Sequence, residues 1–381
     1  MNPFLNEKHE ALRSEIRKFA EKVIAPEAAR LDEEEAFSVE LTKKMGDAGL
    51  FGINIPQQYG GKGLDTLSYI IAVEELSRVD SSQAATVVAH NSLGLVPILD
   101  YGTQEQKDKY LPQLTSGEHL WAFGLTEENA GSDARGTETT AVREGNQWVI
   151  NGSKRYITNA STPVTLGVTL QVMTQTDNGQ PKLTTLLVEK GTSGFKTQRM
   201  LGKMMWRAAD TARIYLKDCR VPLSNLLGEE GQGARYMLKT LDGGRLSVAA
   251  MGLGLAQGAF EMAVKHAGER KQFGKPIGRN QAISFKLADM DMKLELARNT
   301  LYKACWLKDN GQTYSREAAI AKLYTSEIAR EVADEAVQIF GGSGLFKDNP
   351  IERFYRDQRL LQIGEGTSEI LRLVISRGLG V

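Results

Sequence analysis

The chain holds only two cysteines in 381 residues, Cys219 and Cys305. So few, and so far apart, they exclude a disulfide framework and read as the reduced thiols of an intracellular protein. Histidine is nearly as scarce. His9, His90, His119 and His266 are widely separated, no Cys/His/Asp cluster has ligand spacing, and no metal site is expected. An excess of charge is missing too, with 47 Lys plus Arg against 47 Asp plus Glu. Neither nucleic acid nor an anionic membrane is therefore an expected partner. No uninterrupted apolar run reaches the roughly 20 residues that span a bilayer. The polar start from Met1 to Glu10 lacks the apolar core of a secretory signal. A P-loop and a Gly-x-Ser-x-Gly elbow are also lacking. These absences point to a cytoplasmic protein, although a processed mitochondrial-matrix form would look the same.

What is present falls into three zones, as a chain longer than one hydrophobic core should. Residues 1–118 read as helical, with Leu12, Ile16, Phe19 and Val23 at three- and four-residue spacing. Residues 119–226 carry short runs rich in Val, Ile, Thr and Trp, such as Gln147–Asn151, Val164–Met173, Leu183–Val188 and Arg213–Leu216. Glu144-Gly145-Asn146 and Asp177-Asn178-Gly179 read as hairpin turns, so this unit is expected to be a β-barrel or sandwich. Residues 227–381 are helical again. The fold class is mostly α with a central β domain. Gly252, Gly254 and Gly258 lack the spacing and context of a dinucleotide fingerprint; they read as small residues that let helix backbones approach.

Three loops carry candidate chemistry. Leu125-Thr126-Glu127-Glu128-Asn129-Ala130-Gly131-Ser132-Asp133 packs hydroxyls and small residues that serve a polar ligand or simply make a turn. Tyr156-Ile157-Thr158-Asn159 sets an aromatic face beside a hydroxyl. Glu365 lies between Gly364 and Gly366, whose freedom brings main-chain amides close to whatever the carboxylate faces. Taken alone, such a loop carboxylate is most often solvated.

Together these segments resemble the acyl-CoA dehydrogenase family along essentially the whole chain. Four landmarks fall in the family's order: Leu125–Asp133; Ile150–Asn159; Glu269–Gly274 with Gln281; and Gln338–Gly342 followed by Ile363-Gly364-Glu365-Gly366-Thr367. The resemblance implies an N-terminal helical, middle β and C-terminal helical architecture, FAD as cofactor, and Glu365 as the base that takes the α-proton of an acyl-CoA. It implies that Phe123, Leu125 and Thr126 meet the edge of the flavin, that Tyr156 and Thr158 pack against it, and that Ser132 serves flavin and substrate. Arg270, Phe273 and Gln281, with Gln338, Gly341 and Gly342, correspond to residues that bind the pyrophosphate and adenosine, partly across a dimer interface. Thr367 and Glu369 add to that half. Asp242 and Arg245 correspond to positions near the CoA. A homotetramer and an electron-transferring flavoprotein as acceptor are further implications.

The chain departs from the family pattern at several points. Tyr156 stands where many members have Trp, which keeps an aromatic ring. Glu128 replaces a common Pro, which should loosen that turn. Gly364 replaces a common Tyr, which should widen the acyl pocket and makes it a substrate-site residue. Met204-Met205-Trp206-Arg207 is bulkier than the family pattern. Rival readings keep the fold: an acyl-CoA oxidase, a dehydrogenase of carrier-bound acyl groups, or a non-catalytic helical scaffold.

Overall fold

A computed structural model describes residues 2–175 and 179–379. Its N-terminal helices are α1 Glu7–Phe19, α2 Ala25–Glu33, α3 Val39–Asp47, α4 Thr66–Ser77, α5 Ser81–Val88, α6 Val96–Tyr101 and α7 Gln104–Thr115. Their starts are written locally, because Asn6, Ser38, Asp65, Asp80 and Thr103 each accept a first-turn amide on the side chain. Between α5 and α6 the chain widens into a π-helical turn, Ala89–Leu95, an irregularity that frequently marks functional sites.

The strands are β1 Leu120–Gly124, β2 Thr140–Glu144, β3 Gln147–Thr158, β4 Thr165–Gln175, β5 Pro181–Glu189, β6 Phe195–Arg199 and β7 Thr211–Pro222. They form one mixed sheet in the order β1-β4-β2-β3-β7-β6, with β5 on the other edge of β4. All seven strands feed a single apolar cluster that includes Trp148, Ile150, Leu170 and Ile214, so the sheet curls around its own core. Glu144 pairs with Gln147, which leaves Gly145 (φ 60°) and Asn146 as the expected hairpin turn. Asp177 and Asn178 of the second expected turn lie outside the described residues.

β1 is parallel to β4, and β2 returns to the same edge of β4 at Thr140↔Met173. Residues 125–139 therefore leave the sheet and come back to it. Glu127 holds this excursion. Its carboxylate accepts the Glu138 and Thr139 amides at 2.7 and 3.1 Å and the Lys154 ammonium at 2.6 Å, the last two buried. The Lys154 Nζ and the Glu138 and Thr139 amides hold the Glu127 carboxyl below the usual range against its burial. The Glu127 amide also closes the turn on Ala130 O at 3.0 Å. With Glu128 merely paired to Arg155 at the surface, the turn is tied without the missing proline.

The C-terminal helices are α8 Gly233–Glu269, α9 Gln281–Asp309, α10 Ser315–Phe340, α11 Ile351–Asp357 and α12 Ser368–Arg377. By composition α8 alone among the described residues is apolar enough to cross a bilayer, but 72% of its apolar window is buried in the protein. It is the central core helix. A Cβ at Gly252 would lie 3.0 Å from Thr325 O on α10, one at Gly254 2.1 Å from Glu74 O on α4, and one at Gly258 2.2 Å from Arg78 O. The three glycines are thus the points where backbones touch α8, as their sequence pattern suggested.

Met204–Arg207 also has a structural role. Trp206, 9% exposed, belongs to the helical core and not to the β cluster. Its amide donates to Asp357 Oδ1 at 2.7 Å, and the Arg207 Nε donates to Asp32 O at 2.9 Å. The bulky segment brackets the sheet against α2 and α11.

Candidate active site

Glu365 sits in the tight turn between α11 and α12, at φ 52°, one of the few non-glycine residues in the left-handed region. Such a conformation costs roughly 1–2 kcal/mol and persists only where surroundings enforce it. Three bonds from α10 enforce it. Lys322 Nζ donates to Gly366 O at 2.7 Å, Gln362 Nε2 donates to Ser326 O at 2.7 Å, and Ser368 Oγ donates to Glu327 Oε1 at 2.7 Å. Thr367 then caps α12 by accepting the Ile370 amide at 3.2 Å.

The turn aims the carboxylate at α8. A Cβ on Gly244 would lie 2.2 Å from Glu365 Oε2 and 3.2 Å from Leu93 Cδ2 of the π-helical turn. Only a glycine on that face of α8 leaves space for the acid. Oε2 is buried and has no hydrogen-bond partner. Burial pushes the Glu365 carboxyl up to about 7, while Lys322 and Arg245 oppose the rise. Arg245 is itself 6% exposed and paired with Asp242. Lys322 is likewise buried, and burial pushes its ammonium down to about 8.

Gly244→Ala should separate function from stability. Alanine in a helix interior gains up to about 1 kcal/mol over glycine, but the new methyl must displace the carboxylate. Expected is an activity loss of more than about tenfold, the scale of a misplaced catalytic group, with an unchanged or higher Tm by calorimetry. Full activity would mean that the carboxylate position over α8 is unimportant.

The π-helical turn links this carboxylate to the sheet. Leu93 touches the Gly244 site, and a Cβ on its neighbour Gly94 would lie 2.6 Å from Trp121 O of β1. His90 accepts the Trp121 amide on Nδ1 at 3.0 Å and donates from Nε2 to Leu114 O at 2.9 Å. Those partners assign the Nε2–H tautomer, and burial pushes its pKa down to about 4, so His90 is a neutral strut. β1 leads from there through Phe123 to Leu125 and Thr126. Thr126 O accepts the Arg155 amide at 2.9 Å, and Lys154 Nζ reaches Leu125 O at 3.3 Å.

Beside them β3 breaks register between Lys154 and Ile157, a bulge of the kind that re-aims a side chain. It throws Tyr156 outward, 56% exposed at φ 61°, under the Arg155 guanidinium at 4.7 Å. Thr158 ends the strand, and Ser132 lies exposed in the excursion. Asn159 Nδ2 anchors this end to Thr86 O of α5 at 3.0 Å.

The remaining candidates stand elsewhere. Arg270, Phe273 and Gln281 follow the C-terminal end of α8, all exposed, Phe273 to 95% at φ 51°. Gln338, Gly341 and Gly342 cap α10 at the same end, where Phe340 stacks on His266 of α8 at 4.2 Å. The helix from Gly244 to Glu269 spans roughly 38 Å at about 1.5 Å per residue. Arg270 and Phe273 are far from the Glu365 carboxylate of their own chain. Glu369 is exposed on α12, where Thr367 and its own amide hold its carboxyl below the usual range.

Sequence reasoning did not find Gly244, Lys322 or Leu93. Two signals were available: a glycine pair, Gly243-Gly244, inside a helical pattern, and a lone lysine on the alanine-rich face of α10.

A curled mixed sheet between helical domains, with a buried carboxylate of raised pKa where they meet, describes an oxidoreductase of the acyl-CoA dehydrogenase type. Residues 6–118 match the acyl-CoA dehydrogenase N-terminal domain, 122–219 the middle domain and 231–380 the C-terminal domain. The chain belongs to the acyl-CoA dehydrogenase family. It is 47% identical over 379 residues to a probable acyl-CoA dehydrogenase of Bacillus subtilis, covering 100% of both chains. Butyryl-CoA dehydrogenase from Megasphaera elsdenii superposes with a TM-score of 0.95 at 40% identity, over 99% of each chain. A chain in a structure described as the electron-transferring flavoprotein of Acidaminococcus fermentans superposes with a TM-score of 0.95 at 44% identity, over 100% of this chain and 99% of that one.

Proposed function

We propose that this enzyme carries out FAD-dependent α,β-dehydrogenation of an acyl-CoA to the trans-2-enoyl-CoA, with Glu365 abstracting the α-proton. The observation that carries the reading is the Glu365 carboxylate, with Oε2 buried, unpartnered and its pKa near 7. A thioester α-proton is weakly acidic, so its removal needs a positioned base with a pKa near the working pH. Lys322 and Arg245 keep that base ionised. The Glu365 amide donates to the thioester carbonyl, where charge develops as the proton leaves. FAD, when bound, takes the β-hydrogen and its electron pair, chemistry that belongs to the cofactor.

The residues fit such a cofactor. An outward Tyr156 on a strained bulge presents a flat face for a ring system, beside Phe123, Leu125, Thr126, Ser132 and Thr158. Thr367 and Glu369 lie at the Glu365 turn. The distant set, Arg270, Phe273, Gln281, Gln338, Gly341 and Gly342, serves the cofactor of a second copy. Support comes from the roughly 38 Å of α8 between the Glu365 contact at Gly244 and the helix end before Arg270, and from Phe273, which stands 95% exposed there. Phe285, Met292 and Leu296 also leave an exposed apolar stripe on α9, suited to a homotetramer built from dimers. Asp242 and Arg245 face the CoA side, with Gly364 at the acyl pocket. We read the three domains as 1–118, 119–226 and 227–381. Electron-transferring flavoprotein is the acceptor, a reading supported by the similar chain from Acidaminococcus fermentans.

Anaerobic titration tests the reaction. The purified flavoprotein should lose its flavin absorbance when butyryl-CoA is added. A flavin that no straight, branched or cyclic acyl-CoA bleaches would overturn the proposal, and steady hydrogen peroxide production in air would replace the dehydrogenase with an oxidase.

A further inference from the structure

Behind Glu365 lies a cavity of about 60 Å³, lined among others by Tyr69, Ser92, Gly243 and Leu246. Its position relative to the carboxylate is fixed twice over. On α8, Gly244 faces Glu365 and its neighbour Gly243 faces the cavity; on the π-helical turn, Leu93 approaches Gly244 and its neighbour Ser92 lines the cavity. The carboxylate and the cavity therefore border neighbouring residues on two separate elements. Tyr69 of α4 stands at this junction. It is 3% exposed, and its hydroxyl lies beside the Ser92 and Ser247 side chains. Burial pushes the phenol well above its ordinary range, with the nearby Glu365 charge adding to the rise, so the ring is neutral at any working pH.

The lining also carries Asp100, Lys239, Lys308 and Tyr314, groups that an alkyl tail would have to desolvate at a cost. Tyr69 both lines this polar cavity and feels the Glu365 charge.

We propose that Tyr69 is the floor of the acyl site and fixes its chain length, so that the enzyme takes short acyl thioesters and the polar cavity behind the ring stays closed to them. This rests on the acyl-thioester reading above. The ring is 3% exposed on α4, a helix anchored by Glu74 and Glu75, which are buried in ion pairs with Arg298 at 3.1 Å and Arg13 at 3.2 Å. Neither the relatives' names nor the family match assigns this residue a role.

The test uses the intact FAD-loaded enzyme and the ratio of kcat/KM for hexanoyl-CoA to that for butyryl-CoA. In the wild type, butyryl-CoA should be preferred over octanoyl-CoA by at least about tenfold, since a misfitting methylene alone is worth that much. Tyr69→Ala, and the milder Tyr69→Val, should raise the hexanoyl to butyryl ratio by about tenfold or more. Tyr69→Phe, which keeps the ring, should leave that ratio in place. A wild type that turns over octanoyl-CoA as well as butyryl-CoA overturns the proposal, whatever the variants do. So does an unchanged ratio in a yellow, folded Ala or Val variant, or a shift in Phe as large as in Ala. A wild type bleached by no acyl-CoA at all would instead refute the acyl-thioester reading.

Discussion

Glu365→Gln should lower turnover by about 10²–10⁴-fold, the usual contribution of a positioned general base, and leave FAD bound. Glutamine keeps the size and polarity of the side chain, so the turn held by Lys322, Gln362 and Ser368 has no reason to move. The same variant should be more stable. The wild-type carboxyl has a folded pKa near 7 against an ordinary 4.5, so a proton is bound more tightly in the folded state. Its stabilising share is complete below about pH 4.5 and is lost as pH rises to 7. Above that the buried charge costs up to roughly 3 kcal/mol. Replacing it with a neutral amide should raise Tm at pH 8 and do much less at pH 4. Flavin bleaching by acyl-CoA at the wild-type rate would remove Glu365 from the mechanism; equal Tm values at pH 8 would remove the buried charge.

Lys322→Met should move the pH dependence of the reaction. The base works ionised, so kcat/KM of the wild type should rise through about pH 7 and then level off. Lys322 opposes the effect of burial on Glu365, and a nearby opposite charge is generally worth roughly a pKa unit or more. Removing it moves the rising limb to higher pH, which at pH 7 costs about fivefold or more from ionisation alone. Much of that loss should return at pH 9. A second effect does not depend on pH: Gly366 O loses its donor, and the turn loosens. A variant with an unmoved limb and a uniform loss would reduce Lys322 to a prop for the backbone.

Much of this architecture was legible in local sequence. The stripe of Leu12, Ile16 and Phe19 falls in α1, and the turn at Gly145-Asn146 has the positive φ it needs. Local sequence alone did not yield three of the strands. β1 is five consecutive buried residues with no alternation to read, β2 is exposed at all but Ala141, and β6 buries only Phe195 outright. Their partners, not their patterns, make them strands.

The candidate site divides the same way. Glu365 stood out through the family landmarks that precede it, since a glycine-flanked loop carboxylate is by itself most often solvated. Lys322 and Gly244 did not, because each becomes part of the site only when α10 and α8 fold against a turn distant in sequence. Glu127 and Lys154, 27 residues apart, were invisible for the same reason. The expected looseness at Glu128 failed because a proline's rigidity was replaced by a buried ion pair.

The length of α8 has a consequence for inheritance. If each site borrows Arg270 and Phe273 from a neighbour, a lesion at Arg270 spoils the partner's site and spares its own chain's base, whereas a lesion at Glu365 disables only its own. Two different defective alleles, each silent alone, would then assemble in mixed dimers with one whole site apiece. Loss of function in such a protein would be counted by pairs of chains and not by single copies.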